Sequence, residues 1–210
     1  MPHDPRPWRL KDMTPVAIRD RLRARPALLV PVGTTEQHGP HLPLGCDSII
    51  IERLADDLSA ASGIPRTPAI EYGVQPPTHP LPGGAALRRK TLHRVMNELI
   101  ESWEEGAGVR EFMILTAQAN DAHLEALSTI RTAAASVVVV DVFALDFGDR
   151  LAAPNPKMAG GELDTSLLLY LAPELVAPGL IPAGLPASAT KGEALYRFIL
   201  ERLNQRLLSP

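Results

Sequence analysis

Glu36 and His38 stand two residues apart in the segment 33–47, which Asp47 closes. In an extended backbone, residues i and i+2 project to the same side, so this carboxylate and imidazole can converge on one cation. Asp47 lies at a predicted helix start, where an acid is favoured electrostatically and can also cap the helix. One imidazole with carboxylates is a mixed N/O set that suits Zn, Mn or Fe(II) and leaves room for water. Gly33, Gly39, Pro40, Pro43 and Gly45 give the loop a defined shape. Plainer readings stand beside this one, because short motifs recur by chance. Asp47 can be only a helix cap, and His41 only a surface residue. Cys46 is a soft ligand or reactive thiol in one reading and a small buried neighbour in the other.

The elements that must hold this loop follow from the hydrophobic pattern. A Pro-rich arm, residues 1–13, precedes a helix over 14–25, with Thr14 as N-cap and Pro15 in the first helical position. Residues 27–32 (ALLVPV) form a continuous apolar run, as in a strand buried on both faces. A helix from Asp47 to about Ala61 ends at Gly63, and residues 67–70 make a short strand. A helix spans about 87–105 and is closed by Gly106 and Gly108. Residues 111–116 (EFMILT) form a second strand, 121–135 a helix and 137–143 a third strand, with further helices over 162–171 and 191–207. Strands alternating with helices predict a mostly parallel central sheet covered on both sides, an α/β fold of three layers. Ligands of such sheets bind beyond the carboxyl ends of the strands. The loops 33–47 and 116–121 and the loop after Phe143 should therefore meet there.

Composition narrows the function. The chain has 210 residues, 45% of them hydrophobic and 4% aromatic, enough for one domain with an aliphatic core. A net charge of −3 argues against a nucleic-acid partner. The sequence has no apolar run of membrane-spanning length and no secretory leader pattern, and a single cysteine fits a reducing cytoplasm.

The segment 29–47, LVPVGTTEQHGPHLPLGCD, resembles the most diagnostic stretch of the creatininase (creatinine amidohydrolase) family. Weaker similarity runs through Glu71-Tyr72-Gly73-Val74, the Pro82-Gly83 turn, residues 160–166 (GGELDTS), 173–176 (PELV) and 190–193 (TKGE), so it covers nearly the whole chain. The resemblance implies a single three-layer α/β/α domain over residues 1–210, homo-oligomers, and hydrolysis of an amide or other C–N bond at two metal ions. Carried over, Glu36 binds the first ion, His38 the second, and Asp47 bridges them. A shared carboxylate between two ions lowers the pKa of a bridging water and polarises an amide oxygen.

The sequence departs from the family at three places. Gln118 stands where a histidine completes the first site, and Asn120 where creatininase has a glutamate for the second. A neutral amide oxygen is a poorer ligand than imidazole. Asp121 and His123 lie near, and His123 reads as the exposed side of its helix. Ala159 replaces a histidine that acts in proton transfer in the family, and Asp164 replaces the final glutamate. Glu162 or Asp164 can supply a missing ligand, or each can be a helix N-terminal acid. His79, in a Pro-rich loop near the expected pocket, either replaces lost imidazole function or faces solvent.

The expected ligands are then Glu36, His38, Asp47 and Asp164, with Glu36, His79 and Gln118 as catalytic residues. They would hold one or two ions of Zn, Mn or Fe and act on a small molecule or peptide. The alternative is a repurposed family member that binds a small molecule, pairs with an active relative as a subunit, or catalyses a non-hydrolytic biosynthetic step.

Overall fold

The computed structural model describes residues 6–75 and 82–208. His79 and the first five residues of the arm lie outside the described residues. Three parallel strands, β1 (Ala27–Pro31), β2 (Glu111–Thr116) and β3 (Ser136–Asp141), form a sheet in the order β1-β2-β3. Leu29 is in register with Met113, and Met113 with Val138. Side chains alternate between the faces of a strand. Accordingly, Ala27, Leu29, Met113, Leu115 and Val140 join one core with α2 (Cys46–Ser62), α5 (Glu162–Leu171) and α6 (Ala189–Leu208). Leu28, Val30, Phe112 and Ile114 join the other, with α1 (Pro15–Ala24), α3 (Arg89–Ala107) and α4 (Asp121–Ser128). Every residue of β1 is buried, as its unbroken apolar run requires. The expected three-layer α/β/α arrangement is present.

Helix ends follow local chemistry. The Thr14 hydroxyl accepts the Ala17 N–H at 3.3 Å, with Pro15 in the first turn of α1. Gly63 and Gly108 close α2 and α3 in the left-handed region, at φ 73° and 70°.

Three expectations are corrected. Residues 67–70 form no strand: Ile70 alone makes an isolated bridge, to Val32 just past β1, and Pro68 lacks a ladder donor. The third strand ends at Asp141, and residues 142–144 form a 3-10 turn as the Asp141 carboxylate accepts the Phe143 N–H at 2.8 Å. The helix expected over 121–135 stops at Ser128. The Glu104 carboxylate of α3 reaches across to accept the N–H groups of Ala133, Ala134 and Ala135 at 3.0, 2.6 and 2.7 Å. Those amides are thereby withdrawn from any helical ladder, a tertiary contact that helical propensity does not encode.

Candidate metal centre

The loop after β1 carries Glu36 and His38, and Asp47 lies in the first turn of α2. Gly45, not Asp47, is the N-cap of that helix. Asp47 lies one position inside the helix from its first residue, and the Thr34 hydroxyl donates to its Oδ2 at 2.6 Å. Its Oδ1 points instead at His38 Nε2, 3.4 Å away, and Glu36 Oε1 lies 3.6 Å from the same nitrogen. Bonds of about 2.1 Å at tetrahedral angles place donor atoms about 3.4 Å apart, so these three fit one divalent ion. His38 Nε2 and Asp47 Oδ1 are buried and have no hydrogen-bond partner among the described residues. Buried polar atoms are normally satisfied, so these two facing atoms, with Glu36 beside them, form a group into which a cation fits.

On its other side, His38 Nδ1 lies 3.0 Å from Asp164 Oδ2, in the first turn of α5. An ionised carboxylate only accepts, so the ring donates from Nδ1 and presents Nε2 to Glu36 and Asp47. This is the carboxylate–histidine arrangement that orients imidazole ligands in metal sites. Gly160 completes the hold on Asp164, its N–H donating to Oδ2 at 2.8 Å. Three buried acids, Glu36, Asp47 and Asp164, face one imidazole. Burial lowers the His38 pKa, but the Asp164 hydrogen bond and the charges of Asp47, Asp164 and Glu36 outweigh it and lift it to about 9. Burial, with repulsion from Asp164 and Glu36, pushes Asp47 up to about 7.

The second loop does meet the first, through a contact unlike the expected one. Gln118 Nε2 donates to Glu36 Oε1 at 2.6 Å, while Gln118 Oε1 accepts the Asn120 N–H at 3.0 Å. That pairing assigns the amide nitrogen, not its oxygen, to the metal side. Asn120 caps α4, its side chain accepting the His123 N–H at 3.2 Å.

Several plainer expectations are reversed. His123 is not exposed: it is fully buried, accepts the Val74 N–H at Nδ1 (3.1 Å) and donates from Nε2 to Thr116 (3.1 Å). A Cβ on Gly73 would sit 2.6 Å from that ring, so glycine there makes the approach possible. Burial holds the His123 pKa down at about 4. His41 is likewise interior, with Nε2 2.9 Å from the Thr165 hydroxyl. Of the two acids in the third loop, only Asp164 faces the centre. Glu162 anchors the Ala152 and Ala153 N–H groups, at 2.8 and 2.6 Å, and pairs with Lys191. Asp121 is exposed. Cys46 is fully buried, and its thiol is held neutral by burial and the surrounding acids. It can group with His38 and Asp164 as potential ligands, but the Nδ1–Asp164 hydrogen bond already uses that side of the ring. Thr34 and Gly160 were invisible to spacing arguments, since neither residue type signals a metal site.

Fold and site together define an α/β/α protein with a histidine–carboxylate cluster beyond the carboxyl ends of a parallel sheet. The creatininase family model, described as creatinine amidohydrolase, matches residues 11–206, and the chain belongs to this family. It is 29% identical over 156 residues to the mycofactocin precursor peptide peptidase of Mycolicibacterium smegmatis, covering 71% of this chain and 59% of the relative. It is 38% identical over 67 residues to the 3-dehydro-scyllo-inosose hydrolase of Thermotoga maritima, covering 32% of this chain and 22% of that enzyme. The chain thus spans less than two thirds of the length of either relative. Among solved structures, creatinine amidohydrolase superposes with a TM-score of 0.76 at 20% identity, covering 96% of both chains. A mutant creatininase described as Zn-Zn type gives 0.78 at 20% identity, covering 96% of this chain and 97% of that one. A manganese form gives 0.76 at 19%, with the same coverage. These likenesses establish the fold.

Proposed function

We propose that this protein is a metal-dependent hydrolase that cleaves an amide or other C–N bond, at one divalent ion held by Glu36, His38 and Asp47. The carrying observation is the buried convergence of these three donors, with His38 turned toward the other two by Asp164. The ion supplies Lewis acidity and lowers the pKa of a coordinated water. The chain's own residues do the rest. Asp164 keeps the Nδ1 proton in place, Thr34 aims Asp47, and the Gln118 amide holds Glu36. A one-ion site is favoured over the family's pair because Gln118 offers an N–H to the centre and Asn120 is spent on a helix cap. Ala159 leaves the third loop without an acid/base imidazole, a loss of about 10²–10⁴-fold in rate where such a group is used. We infer slow turnover, and a peptide substrate class from the similarity to a precursor-peptide peptidase. Among the described residues, no helix is long and apolar enough to cross a membrane. We propose a cytoplasmic homo-oligomer.

The departures at Gln118, Asn120 and Ala159 favour a second reading: a repurposed member that binds a small molecule, joins an active relative, or runs a non-hydrolytic step. Metal analysis of protein purified without chelator separates the two. About one equivalent of Zn, Mn or Fe, lost on Glu36→Gln or His38→Ala, supports the hydrolase reading. No bound metal, with melting unchanged by added Zn or Mn, overturns it. A stable mixed oligomer on co-expression with an intact relative supports the second reading.

A further inference from the structure

Asp164 can orient His38 only if Asp164 is itself fixed, and what fixes it is a ring of contacts between the first and third loops. Asp164 Oδ2 accepts the Gly160 N–H at 2.8 Å as well as His38 Nδ1. Gly160 is in the left-handed region at φ 72°, and a Cβ there would lie 2.5 Å from the His38 carbonyl oxygen. The third loop therefore presses directly on the backbone of the residue whose ring it holds. The Gly160 carbonyl accepts the Thr165 hydroxyl at 3.3 Å. With its proton spent there, Thr165 Oγ1 has only lone pairs to offer, so His41 Nε2, 2.9 Å away, is the donor of that pair. His41 therefore carries a proton on Nε2, and burial lowers its pKa. Its own carbonyl accepts the Ala177 N–H at 2.9 Å, which ties the same residue to the segment after α5. The path closes: His41 to Thr165, Thr165 to Gly160, Gly160 to Asp164, Asp164 to His38, and back along four residues of the first loop.

We propose that His41 and Thr165 are positioning residues that set the metal affinity of the Glu36–His38–Asp47 site through Gly160 and Asp164. Neither touches the ion. A buried imidazole is a costly filler where an aliphatic side chain would pack. Its cost is offset by the donor it places on Thr165, which holds Gly160 where its N–H meets Asp164. Loss of the brace lets the third loop and Asp164 drift, and His38 then samples rotations in which Nε2 no longer faces Asp47.

The inference rests on the metal reading above, and one set of measurements separates the two. Zinc affinity is measured by competition with a chromophoric chelator on the full chain, alongside the melting temperature of the metal-free protein. Thr165→Val and His41→Leu are expected to weaken zinc binding about 10–100-fold, the usual effect of removing an outer partner of a metal ligand. Thr165→Ser keeps the hydroxyl and His41→Gln keeps an N–H donor, so both should bind zinc nearly as the unmodified protein does. A merely structural role predicts a different pattern, in which melting falls and zinc affinity does not. Unchanged zinc affinity in Thr165→Val overturns the inference while leaving the metal reading intact. If His41→Leu does not fold, Thr165→Val and its serine control still decide the matter. Absence of zinc binding in the unmodified protein overturns both.

Discussion

The difference between this protein and its His123→Gln variant as the pH falls from 7 to 4 isolates the energetic weight of His123. This imidazole is fully buried, accepts from Val74 and donates to Thr116, whose hydroxyl in turn accepts the Gln118 N–H at 3.3 Å. Burial depresses its pKa from 6.5 to about 4. Between those values the unfolded chain binds a proton that the native state refuses. Its stabilising contribution is therefore complete above about pH 6.5 and is lost as the pH falls toward 4. Each unit of difference is worth about 1.4 kcal/mol, so the loss is about 1.4 kcal/mol at pH 5.5 and about 3 kcal/mol at pH 4. Urea denaturation at a series of pH values measures this directly, with His123→Gln as the comparison. The variant should start lower at pH 7 and lose less between pH 6.5 and 4.5. Asp56 and Glu162 also have lowered pKa values, Asp56 from Arg9 and Arg66, and Glu162 from Lys191 and backbone N–H groups, against the upward push of burial. Their contributions disappear only as the pH falls through the carboxylate range, and they cancel in the comparison. Parallel pH curves for the two proteins would refute the assignment of a neutral, structural His123.

Three other outcomes are expected. Gly160→Ala forces a Cβ into a left-handed backbone 2.5 Å from the His38 carbonyl, which should cost about 1–3 kcal/mol in denaturant titrations. A variant as stable as the parent would mean that the loops do not touch there. Gln118→Glu sets a second carboxyl 2.6 Å from Glu36. The metal-free protein should lose about 2 kcal/mol, seen as a melting point lower by about 4–8 °C, and recover with added zinc. Glu162→Gln leaves the Lys191 ammonium without its anion and weakens the anchor of Ala152 and Ala153. A loss of about 3 kcal/mol in urea unfolding at pH 7 is expected, while zinc affinity at the centre should barely change.

Much of the architecture was legible from local pattern. The buried run of β1, the Thr14-Pro15 start of α1 and the glycine stops at Gly63 and Gly108 each depend on neighbours in sequence, through side-chain period, fixed proline φ or the freedom of glycine. The convergence of Glu36, His38 and Asp47 was legible too, because it depends on residue type and spacing along one loop. Other features depended on partners far away in the chain. The end of α4 is decided by Glu104 reaching residues 133–135, about thirty positions on. Asp164 and Glu162 are indistinguishable as acids at a helix start, yet one faces His38 and the other Lys191, because two positions along a helix point to different sides. His41 and His123 read as surface residues until their donors and acceptors at Thr165, Val74 and Thr116 were in place. The sequence by itself determined which groups can bind an ion and which segments form strands and helices. The tertiary structure alone decided which oxygen, nitrogen or N–H each buried group turns toward the centre, because a hydrogen bond's direction is set by partners that only folding brings within 3 Å.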